Sequence, residues 1–233
     1  MAGRPHVGIS ALPHDRAAAG SARGSIGDRA VLVPVKRFAD AKRRLGAALS
    51  GAAREALART MADRVLSAAA PLPVAVVCDD ADVAAWARTR GALVVWEPGR
   101  GLNCAVETGV RRLADMDVRR VVVAHGDLPF AAGLADLDTT PGVVLVPDRH
   151  HDGTNVIELP ADCGFRFSYG PGSFERHRDE CERLGLPYRV MAVPWLSYDV
   201  DVPADLPLPA EDARSMPRGN TKVAATTPAP PRP

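Results

Sequence analysis

Short apolar segments alternate with longer segments of helical periodicity through the middle of this chain. Five segments have the length and composition of buried strands: Val31–Val35, Pro73–Cys78, Gly91–Trp96, Arg120–Ala124 and Gly142–Pro147. Between them the pattern predicts three helices, at residues 50–70, 80–90 and 102–114. Such alternation is typical of right-handed βαβ units and of a mostly parallel sheet with helices on both faces. The sequence therefore predicts an α/β domain.

The second half of the chain is less regular. Its pattern predicts strands at Asn155–Leu159 and Tyr188–Val193, a short extended piece at Phe165–Ser168 and a helix at Ser173–Leu184. Residues 1–29 and 210–233 are rich in small residues and proline and lack apolar periodicity, so we expect both to be disordered extensions. One domain, residues 30–209, remains between them.

Charge and cysteine content limit the classes of partner. The 29 basic residues nearly balance 28 acidic ones, so the chain lacks the excess of positive charge that would favour binding to nucleic acid. The four cysteines are scattered without a C-x-x-C pair, which fits reduced thiols in the cytoplasm. No apolar run approaches the roughly 18 residues of a membrane span, and the N-terminus lacks the apolar core of a signal peptide. We therefore expect a cytoplasmic protein without a membrane partner.

Two acidic segments follow predicted strands. Asp127 comes after the strand at Arg120–Ala124, and the pair Asp199 and Asp201 comes after the last one. Ligands of open α/β sheets bind outside the carboxyl ends of the strands. Alternate residues of an extended segment point to the same side, so the paired carboxylates repel each other unless a cation lies between them. Carboxylate oxygens suit Mg²⁺, and we predict that both segments meet around one such ion; ordinary aspartate turns are the alternative.

A basic segment follows the first strand, at the usual phosphate-binding position. Lys36 offers a flexible point charge there, and Arg44, in Lys42-Arg-Arg-Leu45, offers a planar fork for phosphate oxygens. Neither G-x-G-x-x-G nor the Walker motif is present. A solvated basic loop is therefore the alternative interpretation.

The segment Glu97–Ala105 ends the third strand and opens a helix. Gly99 and Gly101 would allow a ligand to approach the backbone, and amides at a helix N-terminus favour an anion or a base edge. Asn103 offers both a donor and an acceptor. The alternative is an ordinary strand-to-helix turn.

Two polar segments with glycines in the second half indicate a second anionic ligand. Asp152–Asn155 carries the Thr154 hydroxyl, and Tyr169–Ser173 leads into a helix. Free amides near three residues of the latter would form an anion-binding nest: Gly170, Gly172 and Ser173. Three histidines nearby are expected to be surface residues rather than ligands: His150, His151 and His177.

The ordered set of motifs is more specific than any one of them. It runs P-V-K…A-K-x-R-L, G-L-N, G-D-L-P, D-G-T-N, Y-G-x-G-S-F-x-x-H and D-V-D. Over roughly Ala30 to Pro207 it resembles the phosphoenolpyruvate/2-phospho-L-lactate guanylyltransferases of coenzyme F-420 biosynthesis. One departure is His125 before Gly126 and Asp127, where a more apolar lead-in is expected.

The resemblance implies a Rossmann-like nucleotidyltransferase fold of the nucleotide-diphospho-sugar transferase type. It also implies that residues 30–209 form a single guanylyltransferase domain, which transfers GMP from GTP to a small phosphorylated three-carbon acid. A downstream transferase would receive the activated product, and a homodimer is expected.

The resemblance also implies roles for individual residues. Three aspartates would hold Mg²⁺: Asp127, Asp199 and Asp201. Three residues would be catalytic: Asp127, Lys36 and Lys42. Five would bind the nucleotide: Lys36, Lys42, Arg44, Gly101 and Asn103. Three would hold the acceptor acid: Thr154, Gly170 and Ser173.

The identity of the acceptor stays open at this point. Phosphoenolpyruvate is favoured, with 2-phospho-L-lactate and 3-phospho-D-glycerate as alternatives. A molybdopterin- or sugar-phosphate-type nucleotidyltransferase is a second reading of the same motifs. A GTP-binding module without turnover is the non-enzymatic alternative.

Overall fold

A computed structural model of the chain describes residues 26–137 and 141–206, and the backbone of residues 222–226. One mixed sheet runs through all three ranges, in the order β3-β2-β1-β4-β6-β5-β7-β8. Its strands are β1 (Arg29–Pro34), β2 (Val74–Cys78), β3 (Leu93–Trp96), β4 (Arg120–Ala124), β5 (Val143–Pro147), β6 (Thr154–Pro160), β7 (Tyr188–Ala192) and β8 (Lys222–Thr226). Strand β6 is antiparallel to both β4 and β5, and β8 is antiparallel to β7, whereas the other neighbours pair in parallel.

Helices cover both faces of the sheet. They are α1 (Gly51–Ala68), α2 (Ala81–Thr89), α3 (Leu102–Ala114), α4 (Ser173–Arg183) and the short α5 (Pro194–Ser197). Alternate residues of β1 belong to two separate cores: Val31 packs in the core that includes α1 and α2, and Leu32 in the core that includes α3 and α4. The predicted fold class is thereby confirmed, and two-sided burial explains why β1, β2 and β4 are continuous apolar runs.

Local sequence signals set the positions of the helices. The Ser50 hydroxyl accepts the Ala53 N–H and caps α1, and the Asp80 carboxylate caps α2 by accepting two amides. Helix α3 packs closely on β1 through Gly109, where an added Cβ would lie 2.5 Å from Leu32 Cδ2. A larger residue there would push α3, and the loop before it, away from the sheet.

The structure differs from the predictions at both ends of the domain. Strand β1 begins at Arg29, within the predicted extension, because the Arg29 guanidinium pairs at 2.8 Å with the buried Glu158 carboxylate. Lys222–Thr226, within the predicted disordered tail, forms β8 because the edge of β7 offers unpaired backbone groups. Residues 26–28 of the predicted extension also contact the domain, since the Asp28 carbonyl oxygen accepts the N–H groups of Arg119 and Arg120. Residues 1–25, 210–221 and 227–233 lie outside the described ranges, and Phe165–Ser168 belongs to no helix or strand. Within those ranges, no helix combines the length and apolar character needed to cross a membrane.

Candidate active site

Two adjoining cavities open at the edge of the sheet where β1, β2, β4 and β5 end. The larger has a volume of about 610 Å³ and the smaller about 190 Å³, and Lys36 and Leu102 line both. The smaller cavity lies against the ends of β1 and β2 and against the segment that follows β3. The larger one also contacts Thr154, since the reversed strand β6 starts at this edge. This is the crevice in which doubly wound sheets bind ligands.

The two acidic segments meet at the larger cavity, which Asp127, Asp199 and Asp201 all line. The Lys42 ammonium lies between them, 2.6 Å from Asp127 Oδ2 and 2.9 Å from Asp201 Oδ1. Only 8% of the Lys42 side chain is exposed. Its backbone has a φ of 54° and a ψ of 39°, a left-handed conformation that is uncommon for lysine and that clusters at functional sites.

Mutual attraction keeps the partly buried pair of Lys42 and Asp127 charged. Burial opposes the charge of Lys42, but Asp127 and Asp201 outweigh it and raise the Lys42 pKa. Burial likewise opposes ionisation of Asp127, but Lys42 outweighs it and the pKa of Asp127 is lowered. Asp199 is different: burial and the neighbouring carboxylates of Asp127 and Asp201 raise its pKa to about 6. The cluster therefore contains one positive charge, on Lys42, and up to three negative charges, on Asp127, Asp199 and Asp201.

The residues of this cluster fit a hard divalent cation in their chemistry. Among the described residues, no three His, Cys, Asp or Glu side chains are arranged to hold a metal ion as they stand. Lys42 takes that place between two of the carboxylates. Asp127 Oδ1 is buried with no hydrogen-bond partner in the described part of the chain. An unsatisfied buried carboxylate oxygen beside a carboxylate with a raised pKa marks a site that lacks positive charge.

Asp199→Asn should raise the Tm of the metal-free protein at pH 7.5 by about 2–4 °C, the shift that 1 kcal/mol causes in a domain of this size. The folded-state pKa of about 6 exceeds the usual 3.8, so this carboxylate destabilises the fold above pH 6. The difference should shrink as the pH falls from 6 towards 4. Thermal denaturation in chelator across this range is the measurement, with Asp179→Asn on α4 as control. An equal Tm difference at every pH would contradict the assignment.

An arginine and a fourth aspartate hold the segment that carries Asp199 and Asp201. Asp205 Oδ2 accepts the N–H groups of Asp201 at 2.7 Å and Val202 at 2.8 Å. Arg149 donates to the Asp199 carbonyl oxygen at 3.0 Å and also pairs with the Asp205 carboxylate. The sequence analysis missed both residues. The signal that could have found Asp205 is its place at the third position of the turn Pro203–Asp205, from which its carboxylate reaches back to the N–H of Val202.

On the acceptor side, Thr154 and Ser173 line the larger cavity together with Gly170. The predicted nest of free amides is wrong at two of its three positions. Gly172 N–H donates to Asp152 Oδ1 at 3.0 Å, and Ser173 N–H donates to the Gly170 carbonyl oxygen at 3.0 Å. Both amides are used to close the loop, because the chain must turn sharply before α4. The hydroxyls of Thr154 and Ser173 are then two of the neutral donors on this side.

On the nucleotide side, Gly101 lies at the N-cap of α3 with a φ of 87° and lines the smaller cavity. Arg44 is exposed and lines the larger cavity, 4.0 Å from Asp201 Oδ2. Asn103 lines neither cavity, and its Oδ1 accepts the Tyr169 N–H at 2.7 Å. Its side chain therefore ties α3 to the acceptor loop, a use that the sequence analysis did not foresee. Asp79, which lines the smaller cavity, was also missed.

The histidines divide into two kinds. His150 and His151 are exposed, as expected. His177 is fully buried, so the expectation that it is a surface residue is wrong. The helix α4 turns it inward, four residues after Ser173, towards Thr154. His125 is half-buried, with its ring centroid 4.8 Å from that of Tyr169.

Solved structures with a similar fold include a nucleotidyl transferase and a synthase. A nucleotidyl transferase from Methanothermobacter has a TM-score of 0.54 at 16% identity, with 76% of this chain and 93% of that chain covered. The 4-diphosphocytidyl-2C-methyl-D-erythritol synthase of Anaerococcus prevotii has a TM-score of 0.53 at 10% identity, with 76% and 92% covered. At such identities the likeness concerns the fold alone.

Curated relatives are closer in sequence. A phosphoenolpyruvate guanylyltransferase of Rubrobacter xylanophilus is 37% identical over 184 residues, covering 75% of this chain and 90% of the relative. One of Sphaerobacter thermophilus is 35% identical over 188 residues, covering 75% and 89%. Residues 29–208 match the family described as "Guanylyl transferase CofC like". The chain belongs to this guanylyltransferase family.

Proposed function

We propose that this protein transfers GMP from GTP to the phosphate of phosphoenolpyruvate, giving enolpyruvoyl-2-diphospho-5'-guanosine and pyrophosphate, in the biosynthesis of coenzyme F-420. The family and the names of its relatives support the reaction class. The observation that carries the proposal is the joining of two cavities of different size at Lys36, with the acidic cluster on the wall of the larger one.

The smaller cavity suits the guanine base. Its lining includes the carboxylates of Asp79 and Glu97 and the guanidinium of Arg100, which lies 2.5 Å from Glu97. Carboxylates accept from the N–H groups of guanine, and an arginine donates to its O6 and N7. The triphosphate would then extend past Lys36 into the larger cavity. That places its α-phosphate near the acidic cluster.

The acceptor acid would lie across the larger cavity, against Thr154, Gly170 and Ser173. A phosphate monoester has a second pKa near 6 and is mostly a dianion at pH 7. Its oxygen therefore needs no general base to attack. The attack forms a bond from this oxygen to the α-phosphorus of GTP, and the bond from that phosphorus to the bridging oxygen of the β-phosphate breaks. The electron pair leaves with pyrophosphate.

The main barrier is repulsion between two polyanions, and the basic side chains of this edge act against it. Lys36 and Arg44 are exposed at the cavity walls and can move to phosphate oxygens. Lys42 keeps a positive charge beside Asp127. Asp127, Asp199 and Asp201 would hold Mg²⁺, which supplies Lewis-acid neutralisation of phosphate charge when bound. Holding both substrates in line lowers the barrier further through positioning.

Mass spectrometry of the products tests the proposal directly. Purified protein is incubated with Mg²⁺, GTP and, in separate reactions, phosphoenolpyruvate, 2-phospho-L-lactate or 3-phospho-D-glycerate, and pyrophosphate release is followed. Product mainly with phosphoenolpyruvate supports the proposal, and product mainly with another acid replaces the acceptor. A panel of other triphosphates and of molybdopterin and sugar-phosphate acceptors tests the related reading. GTP that is bound but never consumed would favour a binding module.

Glu97→Gln should raise the KM for GTP by about tenfold, because each specific contact to a base is worth about 1–3 kcal/mol. The KM for phosphoenolpyruvate should change less than twofold, since the acceptor does not contact this cavity. Steady-state kinetics with each substrate varied in turn is the measurement. Glu55→Gln, a half-exposed carboxylate of α1, is the matched control. Equal effects on both KM values would remove Glu97 from base recognition.

Three further proposals concern the surroundings of the enzyme. The product is an activated diphosphate, so a downstream transferase should consume it. The protein should act in the cytoplasm, and it should form a homodimer. Exposed Trp96 and Leu93 on β3 support self-association. Light scattering after size-exclusion chromatography measures the oligomeric state, and a monomer at micromolar concentration would contradict the dimer.

A further inference from the structure

A buried histidine connects the two segments assigned to the acceptor acid. The His177 side chain is 0% exposed. Its Nε2 accepts the Ser168 N–H at 3.0 Å, and its Nδ1 lies 3.0 Å from Thr154 Oγ1. Thr154 starts β6, and Ser168 precedes the Tyr169–Ser173 loop. One imidazole therefore joins the strand and the loop.

The bond to Ser168 fixes which ring nitrogen carries the proton. A backbone N–H only donates, so Nε2 must present its lone pair. In the neutral ring the proton is then on Nδ1, which donates to Thr154 Oγ1. Burial, with His125 and Arg176 nearby, lowers the pKa of His177 to about 4. The ring is neutral at pH 7, and its tautomer is determined by the structure.

The hydroxyl of Thr154 then has its direction restricted. Oγ1 accepts from His177, so its own hydrogen must point elsewhere, and the described residues offer it no other acceptor. Thr154 lines the larger cavity. The remaining direction is towards whatever anion occupies that cavity. A hydroxyl whose hydrogen is free in this direction suits a phosphate or carboxylate oxygen, which can only accept.

The ring itself has little freedom to turn. Phe165 lies 5.7 Å away between ring centroids and Tyr169 lies 5.0 Å away at 76°. Neither aromatic ring is hydrogen-bonded to the imidazole nitrogens, whose partners are Ser168 N–H and Thr154 Oγ1. The Ser168 carbonyl oxygen accepts from Arg176 at 2.7 Å, which holds the backbone of Ser168 in place. A flip of the imidazole would break both of its bonds.

We propose that His177 is a positioning residue which, by donating to Thr154 Oγ1, keeps the hydrogen of that hydroxyl available to donate to the anionic group of the acceptor acid. This inference rests on the proposed function for the assignment of Thr154 to the acceptor. In this proposal His177 does not touch the substrate itself, because it acts only through the Thr154 hydroxyl that it orients.

A double-mutant cycle tests this role. His177→Gln can keep the acceptor for Ser168 N–H but cannot reach Thr154, and Thr154→Val removes the hydroxyl at nearly constant volume. Each single variant should raise the KM for phosphoenolpyruvate about tenfold or more, the effect of one hydrogen bond to a charged group. The KM for GTP should change less than twofold. The double variant should resemble Thr154→Val alone, because His177 has nothing left to orient.

Asp179→Asn, which changes an exposed carboxylate of α4 away from the cavity, is the control that should stay near wild type, while the Tm of every variant reports folding. A purely structural role for His177 predicts that the two effects multiply and that both KM values rise, and either result would overturn the inference. Long-range ¹H–¹⁵N spectra of the wild-type protein give a readout without catalysis. They should show His177 protonated on Nδ1 alone at pH 7, and a proton on Nε2 would also overturn it. A wild-type protein with this tautomer that neither binds nor consumes phosphoenolpyruvate would instead reject the proposed function and, with it, this acceptor role.

Discussion

Asp127→Asn should leave the fold intact and lower the turnover of GTP with phosphoenolpyruvate by on the order of 100-fold or more, as loss of a key electrostatic group does in other enzymes. The amide keeps the shape of the side chain but has no charge for a cation. Lys42 remains paired with Asp201 at 2.9 Å, so its buried ammonium is not left alone. Pyrophosphate release at saturating substrates and Mg²⁺ measures the change.

The control for this variant is Asp179→Asn, which removes an exposed carboxylate of α4 and should be silent. The Tm of both variants should lie within about 4 °C of wild type, the shift expected for 1 kcal/mol. Turnover of Asp127→Asn within a few-fold of wild type would show that Asp127 is only a structural partner of Lys42.

Lys42→Met should lower turnover by on the order of 100-fold and should also destabilise the metal-free protein. Without the ammonium, the carboxylates of Asp127, Asp199 and Asp201 face one another uncompensated. Breaking a buried pair is costly, and we expect the Tm in chelator to fall by about 5 °C or more. Added Mg²⁺ should raise the Tm more in this variant than in wild type, because no ammonium has to be displaced.

Lys36→Met is the matched comparison. Lys36 lines both cavities but forms no ion pair within the described residues, so its loss should reduce turnover without lowering the Tm. Differential scanning fluorimetry with and without Mg²⁺ separates the two lysines. An equal Mg²⁺ effect on wild type and Lys42→Met would mean that Lys42 does not compete with the metal for this site.

The fold could be predicted well because its signals are local. Strand β4 and helix α3 begin and end at the predicted residues, Arg120–Ala124 and Leu102–Ala114. Their apolar residues recur at the strand or helix period, and that recurrence depends only on neighbouring positions. Strand β8 was missed because the backbone edge that recruits it belongs to a segment about thirty residues earlier in the chain.

The site could be predicted only in part. The motif order placed Asp127 with Asp199 and Asp201, but no sequence rule shows that Lys42 bridges Asp127 and Asp201 from a left-handed backbone position. Asn103 was predicted to bind the nucleotide because its amide offers both a donor and an acceptor at the start of a helix. Its actual partner, the Tyr169 N–H, is 66 residues away. Contacts between residues so far apart in the chain decide the roles of side chains, and they cannot be predicted from composition or periodicity.

The reversal of β6 has a consequence for how this enzyme family can change its acceptor. A loop can change its position when residues are inserted into it. Thr154, in contrast, begins a strand that is paired on both sides, so the sheet fixes its position. With the proposed assignments, donor and acceptor would be held by parts of unequal rigidity: exposed basic side chains for the triphosphate, and a strand of the sheet for the small acid. New acceptors should then arise by exchange of single side chains on that wall or in the loop facing it, with the strand itself retained.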